Sequence, residues 1–342
     1  METRDLVLVG ASAGGVPALT LLCAELPTDL PAAVLVVQHI APSARSLLPA
    51  ILSRAGTLPA VHATEGMRIR HGQVYVAPPD LHMLVAPDGR HLLVRHGPIE
   101  NRTRPAVDAL FRSAAIAAGH RSIGVVLTGM LDDGTAGMVA LKGAGSINVV
   151  QAPEDAQWPD MPRSALEGDT PDHCVPLAEI APLLARLTRL PAGEPREPSV
   201  RLRLEASIAA KESFAMSEEA TPIGQPSALS CPQCGGVLNE IEEGRITRFR
   251  CQIGHAYSPL ALAASQEEGL EHALSIAVRT HRERHVLFRR MERSARARGL
   301  TSTAERWARL AEEAEASAKL IAEAAIALRQ PMAPLPEDPV AS

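Results

Sequence analysis

Leu6-Val7-Leu8-Val9-Gly10-Ala11-Ser12-Ala13-Gly14-Gly15 is the stretch on which the fold turns. Its four consecutive apolar residues predict a strand buried on both faces, as in a parallel sheet covered by helices. The glycines end that run, and residues 16–24 follow with Leu19, Leu22 and Cys23 at helical spacing. A strand, a sharp turn and a helix put Ser12 at the carboxyl end of the sheet. The helix's first N–H groups point at the same spot, where an anion or oxyanion is stabilised. Ser12 is therefore a candidate nucleophile. Taken by themselves, these residues read more readily as a phosphate or nucleotide cradle, although they match neither GxGxxG, GxxxxGK[ST] nor GxSxG.

Outward from this turn, residues 5–190 alternate strand-like and helix-like patterns. Strands are predicted at 33–37, 74–77, 123–127 and 147–150, and helices at 43–53, 105–118, 134–144 and 177–190. Segments 82–85 and 91–95 flank Pro87-Asp88-Gly89 and predict a hairpin. The fold class is α/β: a mostly parallel sheet with helices on both faces and an inserted β-hairpin. Sites in such sheets lie beyond the carboxyl ends of the strands. Ser12 follows the first strand, His39 the second, and Asp132-Asp133 the strand at 123–127. A serine, a histidine and a carboxylate on one sheet edge form a charge-oriented nucleophile: the imidazole takes the serine proton and the carboxylate fixes its tautomer. Singly, His39 is one of twelve histidines and either aspartate is a cap for the helix near Gly134. The coincidence of all three carries the reading, and spacing does not choose between Asp132 and Asp133.

The chain has 342 residues, 46% hydrophobic, 21% charged and only 2% aromatic, which predicts about two domains with aliphatic, alanine-rich cores. Its net charge of −5 argues against bulk attraction to nucleic acid or an anionic membrane. No apolar run reaches the length of a membrane span and no signal peptide is evident, so a cytoplasmic protein is expected.

Residues 191–228 hold Pro191, Pro195, Pro198, Pro222 and Pro226, and predict a linker with a helical segment near 202–214. Within 229–258, Cys231-Pro-Gln-Cys234 precedes Gly235-Gly236, and Cys251-Gln-Ile-Gly-His255 follows after sixteen residues. Cys231, Cys234, Cys251 and His255 supply three thiolates and an imidazole, the donor set of a structural tetrahedral Zn²⁺ site, with a zinc-ribbon-like pairing of 237–241 and 246–250. A redox CxxC is the rival, but no βαβ pattern surrounds it. Metal binding would supply most of this segment's folding free energy, and its loss is expected to leave the chemistry at Ser12 intact. Residues 259–330 predict a helical hairpin, broken at Gly299 and restarted by a Ser302-Thr-Ala-Glu305 capping box. His281 and His285 in it read as surface residues. The tail, 331–342, reads as disordered.

Residues 5–190 resemble the catalytic domain of the chemotaxis receptor methylesterases, the CheB family. The matching pieces are Val9-Gly-Ala-Ser-Ala-Gly-Gly15, Val37-Gln-His-Ile40, Val74-Tyr-Val-Ala-Pro78, Thr103-Arg-Pro-Ala-Val-Asp-Ala-Leu-Phe-Arg-Ser113, Leu127-Thr-Gly-Met-Leu-Asp-Asp-Gly134 and Met161-Pro-Arg-Ser-Ala165. The resemblance implies a serine hydrolase, without a catalytic cofactor, that removes methyl groups from glutamate γ-methyl esters of chemoreceptors, releases methanol, and in many members deamidates receptor glutamines. By motif position it makes Ser12 the nucleophile, His39 the base and Asp133 the orienting carboxylate. Met130 lies beside the site, and Arg104 and Asp108 fall in a matching segment without an assigned role. The usual N-terminal receiver domain is not expected, since the sequence starts at the first strand of the catalytic domain; the phosphorylation switch is then absent, or a separate response regulator or kinase supplies it. Two rivals remain: a non-catalytic regulatory protein that engages a partner through its zinc and helical parts, and a nucleotide-binding flavodoxin-like domain.

Overall fold

Leu6, Val7, Leu8 and Val9 are all buried, which is why the run is apolar without alternation. Leu6 and Leu8 pack into one core cluster, and Val7 and Val9 into another on the opposite side of the sheet. The computed structural model describes residues 2–211 and 223–328. In chain order it holds β1 (Leu6–Ala11), α1 (Gly15–Glu25), β2 (Ala33–Gln38), α2 (Leu48–Ala55), β3 (Ala60–His62), β4 (Val74–Val76), the hairpin β5 (His82–Val85) and β6 (Leu92–Arg95), and α3 (Val107–Ala118). Next come β7 (Ser122–Val126), α4 (Thr135–Gly143), β8 (Ile147–Gln151), α5 (Asp160–Gly168), β9 (His173–Val175) and α6 (Leu177–Leu187).

Seven of these strands form a sheet of order β3-β4-β2-β1-β7-β8-β9, in which every neighbouring pair is parallel. Leu19 and Leu22 of α1, Leu52 of α2 and Ile180 and Leu184 of α6 cover Val7 and Val9. Leu110 and Phe111 of α3, Met138 and Leu141 of α4 and Met161 of α5 cover Leu6 and Leu8. β2 and β7 flank β1 on opposite sides, so the carboxyl ends of β1, β2 and β7 open into the crevice where the winding reverses. The hairpin β5–β6 pairs separately, as its Pro-Asp-Gly turn predicts.

Three expectations change. The helix expected at 43–53 starts at Leu48, with Pro49 in its first turn. Starting at Ser43 would place Pro49 in the interior, where it lacks the N–H for the ladder. The short β3, α5 and β9 carry too few periodic residues to be read. The linker expected over 191–228 contains α7 (Val200–Ala209), whose Leu202, Ile208 and Ala209 are buried. Pro191, Pro195 and Pro198 precede this helix instead of interrupting it, and Ser199 caps it, accepting Leu202 N–H at 3.1 Å. Residues 212–214 of the expected helix lie outside the described residues, as does the tail at 331–342.

Beyond α7, β10 (Gln225–Ser230), β11 (Val237–Glu243), β12 (Ile246–Cys251) and β13 (Ala256–Tyr257) form a four-stranded antiparallel sheet. Two compact units divide the chain, Met1–Ala263 and Ala264–Ser342, so this small sheet belongs to the same unit as the large one. Buried charges tie it there. Glu205 of α7 receives both terminal nitrogens of Arg248 at 2.8 Å, and Glu100 accepts from Arg112 of α3 and, at 3.2 Å, from Arg250 of β12. Burial pushes the Glu205 carboxyl up, but Arg248, Arg250 and Arg112 outweigh it and hold it far below the usual carboxylate range.

The last elements are the long helices α8 (Pro259–Ala297) and α9 (Thr301–Leu328). They turn at Gly299, whose φ of 71° suits glycine, and pack antiparallel, with the Phe288 and Trp307 rings 5.5 Å apart. His285 Nδ1 donates to Ala311 O at 3.0 Å. Among the described residues no helix is long and apolar enough to cross a membrane.

Candidate active site

Strand ends bring the three expected residues together. Ser12 follows β1, and its N–H donates to Thr128 O at 3.0 Å across the β1–β7 crevice. His39 follows β2 and continues the ladder through its N–H to Ala11 O at 3.1 Å. Asp133 lies in the loop from β7 to α4. His39 Nδ1 stands 3.1 Å from Ser12 Oγ, and His39 Nε2 stands 2.8 Å from Asp133 Oδ2. Asp132, the alternative in the sequence, points elsewhere and accepts Ser258 Oγ–H at 2.6 Å.

Asp133 is 3% exposed and meets four donors. Oδ2 accepts from His39 and from Val107 N–H at 2.6 Å; Oδ1 accepts from Asn101 Nδ2 at 3.0 Å and Asp108 N–H at 3.2 Å. Two of these donors are the free amides of the first turn of α3, so the carboxylate also satisfies a helix N-terminus. Burial pushes the Asp133 carboxyl up, but His39, Asn101 and Val107 outweigh it and hold it below the usual carboxylate range. Neighbouring Asp108 goes the other way, raised to about 7 by burial and then by the Asp133 charge. An ionised Asp133 that accepts Nε2–H fixes the tautomer in which the Nδ1 lone pair faces Ser12.

Backbone conformation aims these groups. Gly14 has φ 71°, and a Cβ on Gly15 would lie 2.0 Å from Gln38 Oε1. Only glycine lets the turn approach Gln38, whose amide donates to Ser12 O at 2.8 Å and His39 O at 3.0 Å. In the opposing loop, Leu131 takes φ 62°, a conformation costing about 1–3 kcal/mol that persists only where the surroundings impose it. Here they do: Asp108 Oδ1 accepts Gly134 and Gly137 N–H at 3.0 and 2.7 Å, and Gly129 N–H donates to Trp158 O at 2.9 Å. Trp158 and Met130 remain 42% and 50% exposed, leaving apolar surface beside the crevice. Arg104 donates to Asp80 Oδ1 from Nε at 2.9 Å and Nη2 at 2.7 Å, a pairing that anchors the loop before α3.

Sequence reading missed Gln38, Asn101 and Trp158, and left Asp108 without a role. Gln38 sat inside a quoted motif, but its contacts span the strand pair. Asn101 carried one local signal: asparagine tolerates its φ of 47° better than most residues.

The second candidate site lies on the small sheet. Cys231, Cys234, Cys251 and His255 present donor atoms all within 4.8 Å of one another. Cys231 Sγ is 3.7 Å from His255 Nδ1, Cys251 Sγ 3.5 Å from the same nitrogen, and Cys234 Sγ 3.7 Å from Cys251 Sγ. Tetrahedral bonds of about 2.3 Å place ligand atoms roughly 3.8 Å apart, so the set fits one metal ion. Two similar turns present the ligands: Gly235 N–H donates to Cys231 O at 2.8 Å, and Gly254 N–H to Cys251 O at 3.0 Å. The apolar cluster around them is Leu238, Phe249, Tyr257, Ala261 and Leu262 with two of the cysteines.

Comparison with known proteins matches the region that carries the Ser12 site to a family. The model of the family described as CheB methylesterase matches residues 7–184. A Burkholderia lata protein named protein-glutamate methylesterase/protein-glutamine glutaminase 3 is 38% identical over 193 residues, covering 56% of this chain and 53% of that protein. A Ralstonia nicotianae protein of the same designation, unnumbered, is 38% identical over 190 residues, 55% of this chain and 50% of its own. This chain thus spans about half the length of the curated relatives it matches. Among solved structures, the crystal structure of the Thermotoga maritima CheB methylesterase catalytic domain matches with a TM-score of 0.52 and 32% identity, over 54% of this chain and 98% of that one.

Proposed function

The chain belongs to the CheB methylesterase family, and from that premise we propose that it is a protein-glutamate methylesterase acting through Ser12, His39 and Asp133. It removes methyl groups from glutamate γ-methyl esters of chemoreceptors, releases methanol, and deamidates receptor glutamine by the same acyl transfer. The observation that carries the reading is the relay from Ser12 Oγ through both ring nitrogens of His39 to the buried Asp133. A receptor substrate implies a cytoplasmic setting, which also keeps the clustered thiols reduced.

In this mechanism His39 Nδ1 takes the Ser12 proton as Oγ attacks the ester carbonyl. Asp133 steadies the imidazolium. Near the hydroxyl, three amides are already committed: Ser12 N–H to Thr128 O, Gly15 N–H to Ser12 O and Gly129 N–H to Trp158 O. The oxyanion therefore falls to the neighbouring N–H groups of Ala13, Gly14 and Met130. His39 returns the proton to the departing methoxide, and methanol leaves behind an acyl-Ser12. Water then attacks with His39 again as base and frees the glutamate carboxylate; for glutamine the first leaving group is ammonia. The metal we assign is zinc, held by Cys231, Cys234, Cys251 and His255 in a closed site whose chemistry is structural.

Methanol release from a methylated receptor fragment tests the reading. Ser12→Ala and His39→Ala each lower turnover by at least about a thousandfold, while His272→Ala, on an exposed helix face, leaves it unchanged. Turnover that survives Ser12→Ala overturns the assignment.

A further inference from the structure

The small sheet and the Ser12 site meet at Asn101. Its amide nitrogen donates to Asp133 Oδ1 at 3.0 Å and to Asp108 Oδ2 at 2.9 Å. Its amide oxygen and its backbone N–H are held from the side of the small sheet. Its Oδ1 accepts Ser258 N–H at 3.0 Å, and its backbone N–H donates to Ala256 O at 2.8 Å. Ala256 follows the metal-ligand residue His255 directly, and its own N–H donates to Ile99 O at 3.2 Å. The backbone that grips Asn101 therefore belongs to the residue adjacent to the donor set.

The grip holds an unfavourable conformation. Asn101 and Arg102 both lie at positive φ, 47° and 69°, in a tight turn closed by Glu100 and Thr103. Asparagine tolerates that region, but Arg102 beside it stays there only when neighbours over-determine the backbone. The neighbours here are β13 and Ser258, whose hydroxyl also donates to Asp132. Behind them Arg250, 0% exposed, pairs with Glu100, the first residue of that turn. Displacing the small sheet would take Arg250 from Glu100 and leave Arg112 as that carboxylate's one remaining ion-pair partner among those described.

We propose that the metal-bound sheet is a positioning device for the Ser12 site: β13 and Ser258 hold Asn101 so that its amide fixes Asp133, and loss of the metal releases Asn101 and slows turnover. This rests on the hydrolase reading above, and it reverses the expectation that metal loss leaves catalysis intact. β1, β2 and β7 stay paired without the metal, so the effect is graded. One hydrogen bond to a charged group corresponds to a loss of about ten- to a hundredfold in kcat. KM stays within about twofold, because Asn101 acts through Asp133 and not on substrate.

The experiment is a double-mutant cycle on the full chain. Wild type and Asn101→Gly are assayed for methanol release with zinc bound and after removal by chelator, with metal content checked by elemental analysis. Glycine is chosen because it keeps the left-handed backbone while removing the amide. Asn101→Gly and metal removal each lower kcat by about ten- to a hundredfold, and removal adds little to the variant, since both break the same link. A second readout is the downfield proton of the His39 Nε2–H···Asp133 bond, which shifts or broadens in both cases.

Metal-free wild type with unchanged kcat and proton signal overturns the proposal. So does an undiminished kcat in Asn101→Gly, or two effects that multiply in full. Loss of the whole helical signal on metal removal also overturns it, because the metal is then a condition of the entire fold. If zinc-loaded wild type neither releases methanol nor labels at Ser12 with a phosphonate probe, the hydrolase reading fails instead, and the proton signal alone decides the coupling.

Discussion

Asp133→Asn separates charge and tautomer from shape. The carboxylate receives four donors, His39 and Val107 on Oδ2, Asn101 and Asp108 on Oδ1. An asparagine offers one acceptor oxygen and one NH₂ group. With the oxygen toward His39, the NH₂ faces the Asn101 amide and Asp108 N–H, and two buried donors lose their acceptor at about 1–3 kcal/mol each. With the NH₂ toward His39, the ring escapes the clash by moving its proton to Nδ1, and Val107 N–H alone is stranded. The second arrangement leaves fewer orphans and is the one expected. In it Nδ1–H points at Ser12 and has no lone pair to take the hydroxyl proton. The expected loss in kcat is about 10⁴-fold, roughly 5 kcal/mol of barrier, as for the same change in the serine-protease triad. The fold should lose only about 1–3 kcal/mol, for one unpaired buried amide. Methanol release and urea unfolding on the same sample read the two quantities. A variant that keeps its fold and turns over within tenfold of wild type would refute the relay and this reading of His39.

Three further outcomes follow, two from buried charged or polar groups and one from the metal donors. Glu205→Gln leaves Arg248 and Arg250 underpaired and is expected to destabilise the Met1–Ala263 unit by about 3–5 kcal/mol, seen as a lower urea midpoint. Because the Glu205 carboxyl is depressed in the fold, its contribution is complete above the unfolded value of about 4.3 and disappears as pH falls toward the folded value, so the variant should show a flatter acid limb. His82, 0% exposed, donates Nε2–H to Pro98 O at 2.8 Å and accepts Ala106 N–H at 3.2 Å, and burial lowers its pKa. Its neutral form is the folded form, so stability should decline as pH drops below about 6.5, and His82→Gln should lose that limb in pH-dependent melts. Elemental analysis should find about one zinc per chain, and Cys234→Ser should lower that occupancy.

The large sheet was legible because its information is local. A strand buried on two faces must be apolar at successive positions, and Leu6–Ala11 and the first five residues of Ala33–Gln38 are. Strand ends then rank polar residues without any knowledge of contacts, which is how Ser12, His39 and the Asp132-Asp133 pair could be singled out. Choosing between the two aspartates was beyond that logic. They are adjacent, and what separates them is the first turn of α3, whose amides collect Asp133, while Ser258 collects Asp132. The metal donors were equally legible, since their spacing in the chain nearly dictates their spacing in space.

What joins the two sites was not legible, for a physical reason. Asn101 lies 32 residues from Asp133 and 157 from Ser258, and neither contact leaves a periodic trace. The prolines at 191–198 suggested that whatever follows them is tethered loosely. That inference holds only when the following segment has nothing to bury. Here Leu202 and Ala209 of α7 pack into clusters shared with α3 and the β5–β6 hairpin, and Arg250 of β12 is buried against Glu100, groups that gain these partners only in the docked arrangement. A buried arginine is poor evidence for a separable module, because its desolvation must be offset across the interface it crosses. The adjacency of Arg250 and the ligand Cys251 on one short strand is thus the trace the sequence did carry: it puts an interface charge and a metal donor on neighbouring residues, so that ordering one orders the other.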